Sequence, residues 1–289
     1  SARKKFLNRS KVIYRSSVDL FKNPPDCDIY MLGSDQVWNK DITKDFKYLY
    51  FFDFIKSKKS KKSKISYASS FGMKNWEFNE QESHHIKSLL NDFSSVNVRE
   101  SSAKKLLKEN CNLESNIVVD PVLLLNDFSD ITDNHKQLKN RMVCFKFTKN
   151  NGFYTFLNKL KQNTNLDILV LNKTTSVEGV KTIPIPSIKK WLKSIAEAEY
   201  VLTDSYHGLL FSLIFKKKFI VLPANIKNFD RLKDLLTLLN LEGRIFYDYE
   251  DVLNNDSWKS NIDYKSVDKI LEKNISFSRT TLINSLNGI

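Results

Sequence analysis

Cysteine is scarce in this sequence, and its spacing excludes two common kinds of scaffold. Only Cys27, Cys111 and Cys144 occur in 289 residues, and no two of them form a CxxC pair. Three widely separated cysteines do not make a disulfide framework or a structural zinc site. This usage suits a reducing cytoplasm, so we expect buried thiols without a chemical role.

Long apolar runs and several well-known catalytic motifs are also missing. No apolar stretch approaches the ~18 residues that a membrane-spanning helix needs, and the basic start SARKKFLNRSK lacks the apolar core expected of a signal peptide. No P-loop, GxGxxG, HExxH or GxSxG motif occurs, which argues against the chemistry that these motifs serve. His84 and His85 are adjacent rather than four apart, so we predict no metal site.

Negative charge is the minority sign. The net charge is +13, which favours anionic partners such as nucleic acid, phosphorylated metabolites or acidic lipid surfaces. The densest basic run is KSKKSKKSK at 56–64, which is either a solvated loop or a patch that faces a membrane or a phosphate. No aromatic residue interleaves with this run and no zinc-finger or RNP-like motif occurs, so we predict no nucleic-acid partner.

Apolar segments of two kinds alternate along the chain. Hydrophobic residues make up 41% of the sequence, enough to fill real cores. Short apolar runs predict strands at 27–33, 64–70, 95–100, 116–125, 142–147, 166–171, 200–203 and 219–223, and a strand or extended segment near 180–185. Helical spacing predicts helices at 101–110, 154–163, 187–198, 208–215 and 230–240, with Ser101 or Ser102 capping the first and Ser187 the third.

This alternation predicts an α/β fold with parallel sheets. A polar stretch at 126–140 is the candidate linker between two Rossmann-like halves. We therefore predict an N-terminal lobe at 1–135, a C-terminal lobe at 136–275 and a tail or helix at 276–289.

Polar motifs follow three of the predicted strands, where ligands bind in open α/β sheets. TDSYHG at 203–208 lies between a strand and a helix, so its backbone N–H groups suit an anion and His207 can carry a proton. The simpler alternative is that His207 only caps the helix. GSDQVWN at 33–39 offers polar groups for sugar hydroxyls, with Trp38 able to stack on a sugar or to fill the core. Arg99 either binds an anion in bidentate fashion or pairs with Glu100. We expect one cleft between the lobes.

The same motifs, taken in order, carry a resemblance. GSDQVWN, YASSFG, VNVRES, VVDPVLLL and AEYVLTDSYHGLLFS with KKKFIVLP resemble the polysaccharide pyruvyl transferase family over about residues 28–240. The resemblance implies a glycosyltransferase-B-like arrangement of two Rossmann-like lobes, the first on the acceptor side and the second on the donor side. It implies transfer of a pyruvyl unit from phosphoenolpyruvate to a sugar of a bacterial surface or capsular glycan precursor, as a ketal, with no cofactor.

The resemblance also implies roles for individual residues. His207 is the expected general acid or phosphate ligand, and Asp35 or Asp204 the group that orients or deprotonates the acceptor. The expected donor-binding residues are Arg99, Ser205, Tyr206, Gly208, Lys218 and Arg231. The expected acceptor-binding residues are Ser34, Gln36, Trp38 and Ser70.

Two departures from the family pattern stand out. Some members carry arginine two places before the histidine, where this chain has Ser205, and residues 1–27 hold nothing like the family's NYGG-like loop. We therefore expect a first lobe shortened at its start.

Other functions stay open at this point. A glycosyltransferase that uses a nucleotide sugar and a non-catalytic glycan-binding relative are the alternatives. The expected acceptor is a lipid-linked or polymeric glycan, handled in the cytoplasm, with peripheral contact at the inner face of the plasma membrane an open question.

Overall fold

The computed structural model describes residues 10, 12–55, 62–132, 136–148, 151–171, 179–223 and 229–287. The chain divides into two compact units, the first made of Ser1–Leu124 and Glu272–Ile289 and the second of Leu125–Leu271. The domain boundaries after residues 135 and 275 stay a prediction; the compact units divide after Leu124 and return the end of the chain to the first unit. Residues 56–61 of the lysine run lie outside the described residues.

The first unit contains a parallel sheet. In the described residues its strands lie in the order β1-β2-β3-β4, and every neighbouring pair is parallel. The strands are β1 (Ile29–Leu32), β2 (Ser63–Ser69), β3 (Ser95–Val98) and β4 (Asn116–Ile117). Because the strands are parallel, their carboxyl ends meet at one edge.

The predicted strand at 116–125 is wrong in its second half. The strand ends at Ile117, and a helix takes over at Pro121–Leu125. Proline suits the first position of a helix, and the Asp120 side chain before it accepts a hydrogen bond from Val122 N. Asp-Pro therefore starts a helix inside a run that is apolar enough to resemble a strand.

Helices cover the first sheet. They are α1 (Ser17–Lys22), α2 (Lys40–Thr43), a 3₁₀ helix (Lys44–Phe51), α3 (Glu80–Leu90), α4 (Ser101–Cys111), α5 (Pro121–Leu125) and the part from Glu272 onward of the helix Tyr264–Asn287. The predicted serine cap of α4 is wrong, because its cap position is Glu100 and carries no side-chain cap bond. Ala103, Leu106 and Leu107 are buried, as their helical spacing predicts.

The second unit contains a parallel sheet in which the strand order reverses. Its strands in the described residues lie in the order β7-β6-β5-β8-β9, all parallel. The strands are β5 (Arg141–Phe145), β6 (Asp167–Leu171), β7 (Lys181–Ile183), β8 (Tyr200–Thr203) and β9 (Lys218–Val221). The chain starts in the middle, winds one way to β7 and then the other way from β8, so the switch point lies between β5 and β8.

Helices follow the strands of the second unit as the alternation predicts. They are α6 (Ser129–Thr132), α7 (Asn151–Asn163), α8 (Ile188–Glu197), α9 (Tyr206–Ile214), α10 (Asp230–Leu238), α11 (Tyr249–Asn254) and α12 (Tyr264–Asn287), with 3₁₀ helices at Glu242–Arg244 and Asp256–Lys259. The Ser187 cap of α8 is confirmed, since its side chain accepts from Lys190 N. The α/β class with parallel sheets is confirmed, and the arrangement of the two units stays a prediction.

Two smaller sequence expectations can be compared with the structure. Cys111 and Cys144 are buried, whereas Cys27 is only half-buried. Among the described residues, no helix combines the length and the apolar character that a membrane crossing requires.

Candidate active site

A polar cluster lies at the carboxyl edge of the first sheet. Each strand delivers one part of it: Ser34 and Asp35 follow β1, Ser70 follows β2, Arg99 follows β3 and Asp120 follows β4. The sequence therefore brings together residues that are far apart in the chain because parallel strands end at a common edge.

Arg99 is the buried centre of this cluster. Its side chain is 1% exposed, and Nη1 donates to Ser34 Oγ at 3.1 Å and to Asp120 Oδ2 at 3.0 Å. Ser34 Oγ donates to the same Asp120 oxygen at 2.7 Å. Asp35 and Glu100 approach the guanidinium at 3.7 and 3.8 Å.

Three carboxylates thus surround one guanidinium. A buried charge is tolerated when it is paired in this way. The sequence predicted that Arg99 binds the donor directly, and this is corrected, because the side chain lies inside the unit and is engaged by Ser34 and Asp120. Arg99 instead holds the loop that presents Ser34 and Asp35.

The backbone of Asp35 has an unusual conformation. Its φ is 128°, a region that side chains rarely adopt, and such strain costs about 1–3 kcal/mol and clusters at functional sites. Its carbonyl accepts from Ser70 N at 3.0 Å, Oδ1 accepts from Gln36 N at 2.8 Å, and its side chain is 68% exposed. The structure therefore presents the Asp35 carboxylate to solvent.

The other residues predicted to bind the acceptor are less accessible. Trp38 is buried, stacks on Phe51 with ring centroids 5.4 Å apart, and donates from Nε1 to Tyr50 O at 3.0 Å. It is a core side chain, and its assignment as a sugar platform is wrong. Ser70 is buried, and its Oγ has no hydrogen-bond partner among the described residues.

Gln36 occupies the space above Gly72. A Cβ added at Gly72 would lie 2.0 Å from Gln36 Oε1, and this oxygen accepts from Asn39 Nδ2 at 3.2 Å. The YASSFG glycine therefore admits a protein side chain rather than a ligand. Half-buried Gln36 is tied to its own loop.

A second polar group lies at the switch point of the second sheet. The loop after β5 contains Lys146 and Phe147, and the loop after β8 contains Asp204. Asp204 accepts from Phe147 N at 2.8 Å and Thr148 N at 3.4 Å, and pairs with Lys146 Nζ at 3.2 Å. Burial lowers the pKa of Lys146, and Asp204 opposes that shift.

Asp204 therefore ties the two loops of the switch point together. Its side chain is buried, and both oxygens are engaged. The predicted role of deprotonating the acceptor is corrected for Asp204. Of the two carboxylates predicted to deprotonate the acceptor, Asp35 is exposed and Asp204 is buried.

Ser205 and Gly208 build the start of helix α9. Ser205 Oγ accepts from Gly208 N at 3.3 Å as the helix cap. A Cβ added at Gly208 would lie 2.3 Å from Thr203 Oγ1, so the glycine is required by the packing of α9 on β8. Both were predicted to bind the donor. For Gly208 this is corrected, because its N–H is used by the cap and the residue is buried; for Ser205, whose hydroxyl can still donate, the donor role stays a prediction.

His207 is the second residue of α9 and lines an open pocket of about 390 Å³. It is half-buried, and the edge of its ring faces Tyr206 at 6.0 Å. The pocket is lined by Phe145, Phe147, Ile185, Pro186, Ile188, Trp191, Ser205, His207 and Phe211. His207 thus lies where the strand order reverses, at the positive end of a helix and next to an accessible cavity.

The three remaining residues predicted to bind the donor do not lie together in the structure. Tyr206 is buried, and the guanidinium of Arg231 lies over its ring at 5.8 Å, so both lie beside the start of α9. Lys218 is opposite Tyr200 at the amino end of the sheet, and its Nζ lies 3.5 Å from Glu199. Lys218 is therefore at the wrong edge, and its assignment to the donor site is wrong.

Sequence reasoning missed Asp120, Lys146 and the aromatic walls of the pocket. Asp120 and Lys146 lie inside segments that resemble continuous strands, so neither stood out as a site residue. The Asp-Pro pair was the signal for the former. Among the described residues, no cluster of histidine, cysteine and carboxylate side chains has the composition of a metal site.

A comparison with protein-family models shows which family the chain belongs to. The sequence model of the polysaccharide pyruvyl transferase family matches residues 1–225, most of the chain. The chain belongs to this family. The resemblance carried by the ordered motifs is thereby confirmed, and a transferase of polysaccharide pyruvylation is the activity that family membership supports.

Comparisons with individual proteins are more distant. A search of curated proteins returned no match. Solved structures that align include a UDP-GlcNAc 2-epimerase from Methanocaldococcus jannaschii, with TM-score 0.48, 14% identity, 89% of this chain and 72% of that one. Another is a UDP-N-acetylglucosamine 2-epimerase from Rickettsia bellii, with TM-score 0.46, 15% identity, 92% of this chain and 77% of that one.

Proposed function

We propose that this pyruvyl transferase family member moves the pyruvyl unit of phosphoenolpyruvate onto a sugar of a bacterial surface or capsular polysaccharide precursor, lipid-linked or polymeric. The observation that carries the proposal is the position of His207, at the switch point, on a helix N-terminus and beside an open pocket. A small, strongly anionic donor is also attracted by a chain of net charge +13.

The chemistry requires one proton donor and an electrophilic carbon. His207 gives a proton to the methylene carbon of the donor, which leaves an oxocarbenium-like centre at the neighbouring carbon. A sugar hydroxyl adds there and loses its proton to Asp35, and phosphate then leaves with the electrons of its C–O bond, which restores the oxocarbenium-like centre. A second hydroxyl adds to the same carbon, closes the ketal and returns a proton to His207. The N–H groups of Tyr206 and His207 lie in the first turn of α9, where the positive end of the helix suits the phosphate.

The acceptor side is assigned to the first unit. Asp35 has an exposed carboxylate on a strained backbone, and we assign it the proton of the attacking hydroxyl. Ser34 and Arg99 hold it through Asp120. Membrane contact at the inner face of the plasma membrane belongs to this proposal only if the acceptor is lipid-linked.

Ligand-dependent stability tests the donor. Because a ligand that prefers the native state raises Tm, we expect millimolar phosphoenolpyruvate to do so. UDP-N-acetylglucosamine is the competing probe. A shift with the nucleotide sugar alone would favour the glycosyltransferase alternative, and no shift together with no ketal in the glycan would favour a non-catalytic glycan-binding relative.

The His207→Ala variant tests the acid. We expect pyruvyl transfer to a native glycan fraction, followed by mass spectrometry, to fall by about 10²–10⁴-fold while the fold persists. His84→Ala is the matched control, because His84 is exposed on α3 in the other unit. Full activity of His207→Ala would refute the role of His207.

A further inference from the structure

Lys146 joins the carboxyl ends of three strands. It directly follows β5, and its Nζ donates at 2.6 Å to the carbonyl oxygen of Leu222, which directly follows β9. The same Nζ lies 3.2 Å from Oδ2 of Asp204, which directly follows β8. Because β8 lies between β5 and β9 in the sheet, the Lys146 side chain crosses the end of β8. One ammonium group therefore connects the loops that follow β5, β8 and β9.

Asp204 extends this connection to the backbone of the loop after β5. Its two carboxylate oxygens accept from the N–H groups of Phe147 and Thr148 at 2.8 and 3.4 Å. The side chains of Lys146 and Asp204 are only 3% and 4% exposed, so water screens their attraction weakly. We call these two residues the buried pair.

The buried pair lies between two groups of residues that line the pocket beside His207. Phe145 and Phe147 flank Lys146, and their rings pack edge to face with centroids 5.5 Å apart. Ser205 and His207 follow Asp204 and line the same pocket from the start of α9. The spacing between the two aromatic rings and the imidazole therefore depends on the hydrogen bonds that Asp204 accepts.

The contribution of the buried pair is geometric rather than a gain in stability. Burial lowers the pKa of Lys146, because the protein interior disfavours its charge. Buried ion pairs often stabilise a fold no better than apolar side chains of similar volume. Charge-assisted hydrogen bonds are, however, short and directional, so they fix the groups that they join in one arrangement. Here the groups so joined are the loop of Phe147 and the residue that leads into α9.

We propose that Lys146, acting through Asp204, is a positioning residue that sets the place of His207 for proton transfer. The inference rests on the proposed function, because that function assigns the proton to His207. Lys146 is buried and acts by fixing the loops after β5, β8 and β9 against one another. A displacement of the acid by about 1 Å is enough to lower the rate by about 10²-fold.

The double variant Lys146→Met/Asp204→Asn tests this role. It removes both charges together, so no unpaired charge is left buried and we expect the fold to persist, as measured by Tm. The asparagine amide replaces one of the two accepting oxygens, which releases part of the loop after β5. We expect kcat for pyruvyl transfer to fall by about 10–10²-fold, with little change in the KM for phosphoenolpyruvate. Lys146→Gln, which keeps an N–H donor and removes only the charge, is the milder second variant with the same expectations.

Nuclear magnetic resonance gives a measurement that does not depend on turnover. The chain has four histidines, so the imidazole C–H signal of His207 is assigned by its loss in His207→Ala. We expect this signal to shift in both variants of the buried pair, while the signals of the other histidines stay in place. A purely structural role of the pair would lower Tm without moving the His207 signal.

Arg141→Met/Asp167→Asn is the matched control. It removes an ion pair at the opposite, amino end of β5, and we expect it to change neither kcat nor the His207 signal. Wild-type kcat in both variants of the buried pair, a His207 signal that does not move, or an equal effect of the control would each overturn the proposal. Failure of the proposed function is distinguishable, since it removes pyruvyl transfer in the wild type and leaves the His207 signal as the test.

Discussion

Lys217 is a buried lysine at the amino edge of the second sheet, opposite to the pocket. The residue is 3% exposed, and its carbonyl accepts from the hydroxyl of Tyr264. No carboxylate in the described part of the chain pairs with its ammonium group. Burial lowers the pKa of Lys217 from 10.5 to about 8, so the folded state favours the neutral amine.

This lysine predicts a rise of stability with pH. Between pH 8 and 10.5 the unfolded chain binds a proton that the folded chain has released, so the free energy of unfolding increases with pH over that window. We expect Lys217→Met to stabilise by about 2 kcal/mol at pH 7 and to reduce this rise, part of which Lys146 also supplies, as measured by urea unfolding at pH 7 and 9.5. Lys216→Met is the control, because Lys216 is exposed and paired with Asp268. A rise of unchanged size in Lys217→Met would contradict the assignment.

Sequence patterns predicted where the polar side chains lie along the chain, but not whether each side chain is buried or exposed. Ser34, Asp35 and Arg99 were placed at strand ends from the apolar runs before them, and the structure shows them there. That Arg99 turns inward depends on Asp120, 21 residues later in the chain. Local pattern carries no information about such a partner, and the burial of Trp38 was open for the same reason.

At the scale of single elements, the contact between helix α9 and strand β8 determines where His207 lies. Gly208 allows the helix to approach the strand, because a Cβ there would lie 2.3 Å from Thr203 Oγ1. That hydroxyl cannot move easily, since it donates to Phe145 O at 2.7 Å and accepts from Ser205 N at 3.0 Å. The placement of His207 therefore depends on the absence of one side chain.

Gly208→Ala tests this dependence. We expect a loss of about 1–3 kcal/mol from overpacking, measured by urea unfolding, and a smaller loss in a Thr203→Ala background. Gly243→Ala is the matched control, because a Cβ at Gly243 would have nothing within 4 Å. Equal effects of the two alanine substitutions would show that packing on Thr203 is not what selects glycine at 208.

Element types followed from the sequence where one period dominates. The strands β5, β6, β8 and β9 are mostly apolar runs, and each overlaps its predicted range. The run at 116–125 failed because a helix-starting Asp-Pro lies inside it. Which strands are neighbours, and hence that β5 and β8 form the switch point, needs long-range pairing that periodicity does not encode.

At the scale of the whole molecule, the chain leaves the first unit and later returns to it. Helix α12 begins within the second unit, and its residues from Glu272 onward belong to the first. Ser278 Oγ accepts from Val119 N at 2.9 Å, and Ser285 Oγ lies 2.8 Å from Ser95 Oγ. The predicted tail at 276–289 is thus a structural part of the unit that holds Asp35.

Deleting residues 276–289 should therefore weaken the first unit. The deletion leaves Val119 N without its acceptor and uncovers Tyr67 and Val118, against which Leu282 packs. We expect faster amide hydrogen exchange in β2 and β3 and unchanged exchange in β5 and β8, measured by mass spectrometry. Phe277→Ala is the control, since Phe277 is half exposed on the same helix. Equal acceleration in both sheets, or none in β2 and β3, would show that the end of α12 does not stabilise this unit selectively.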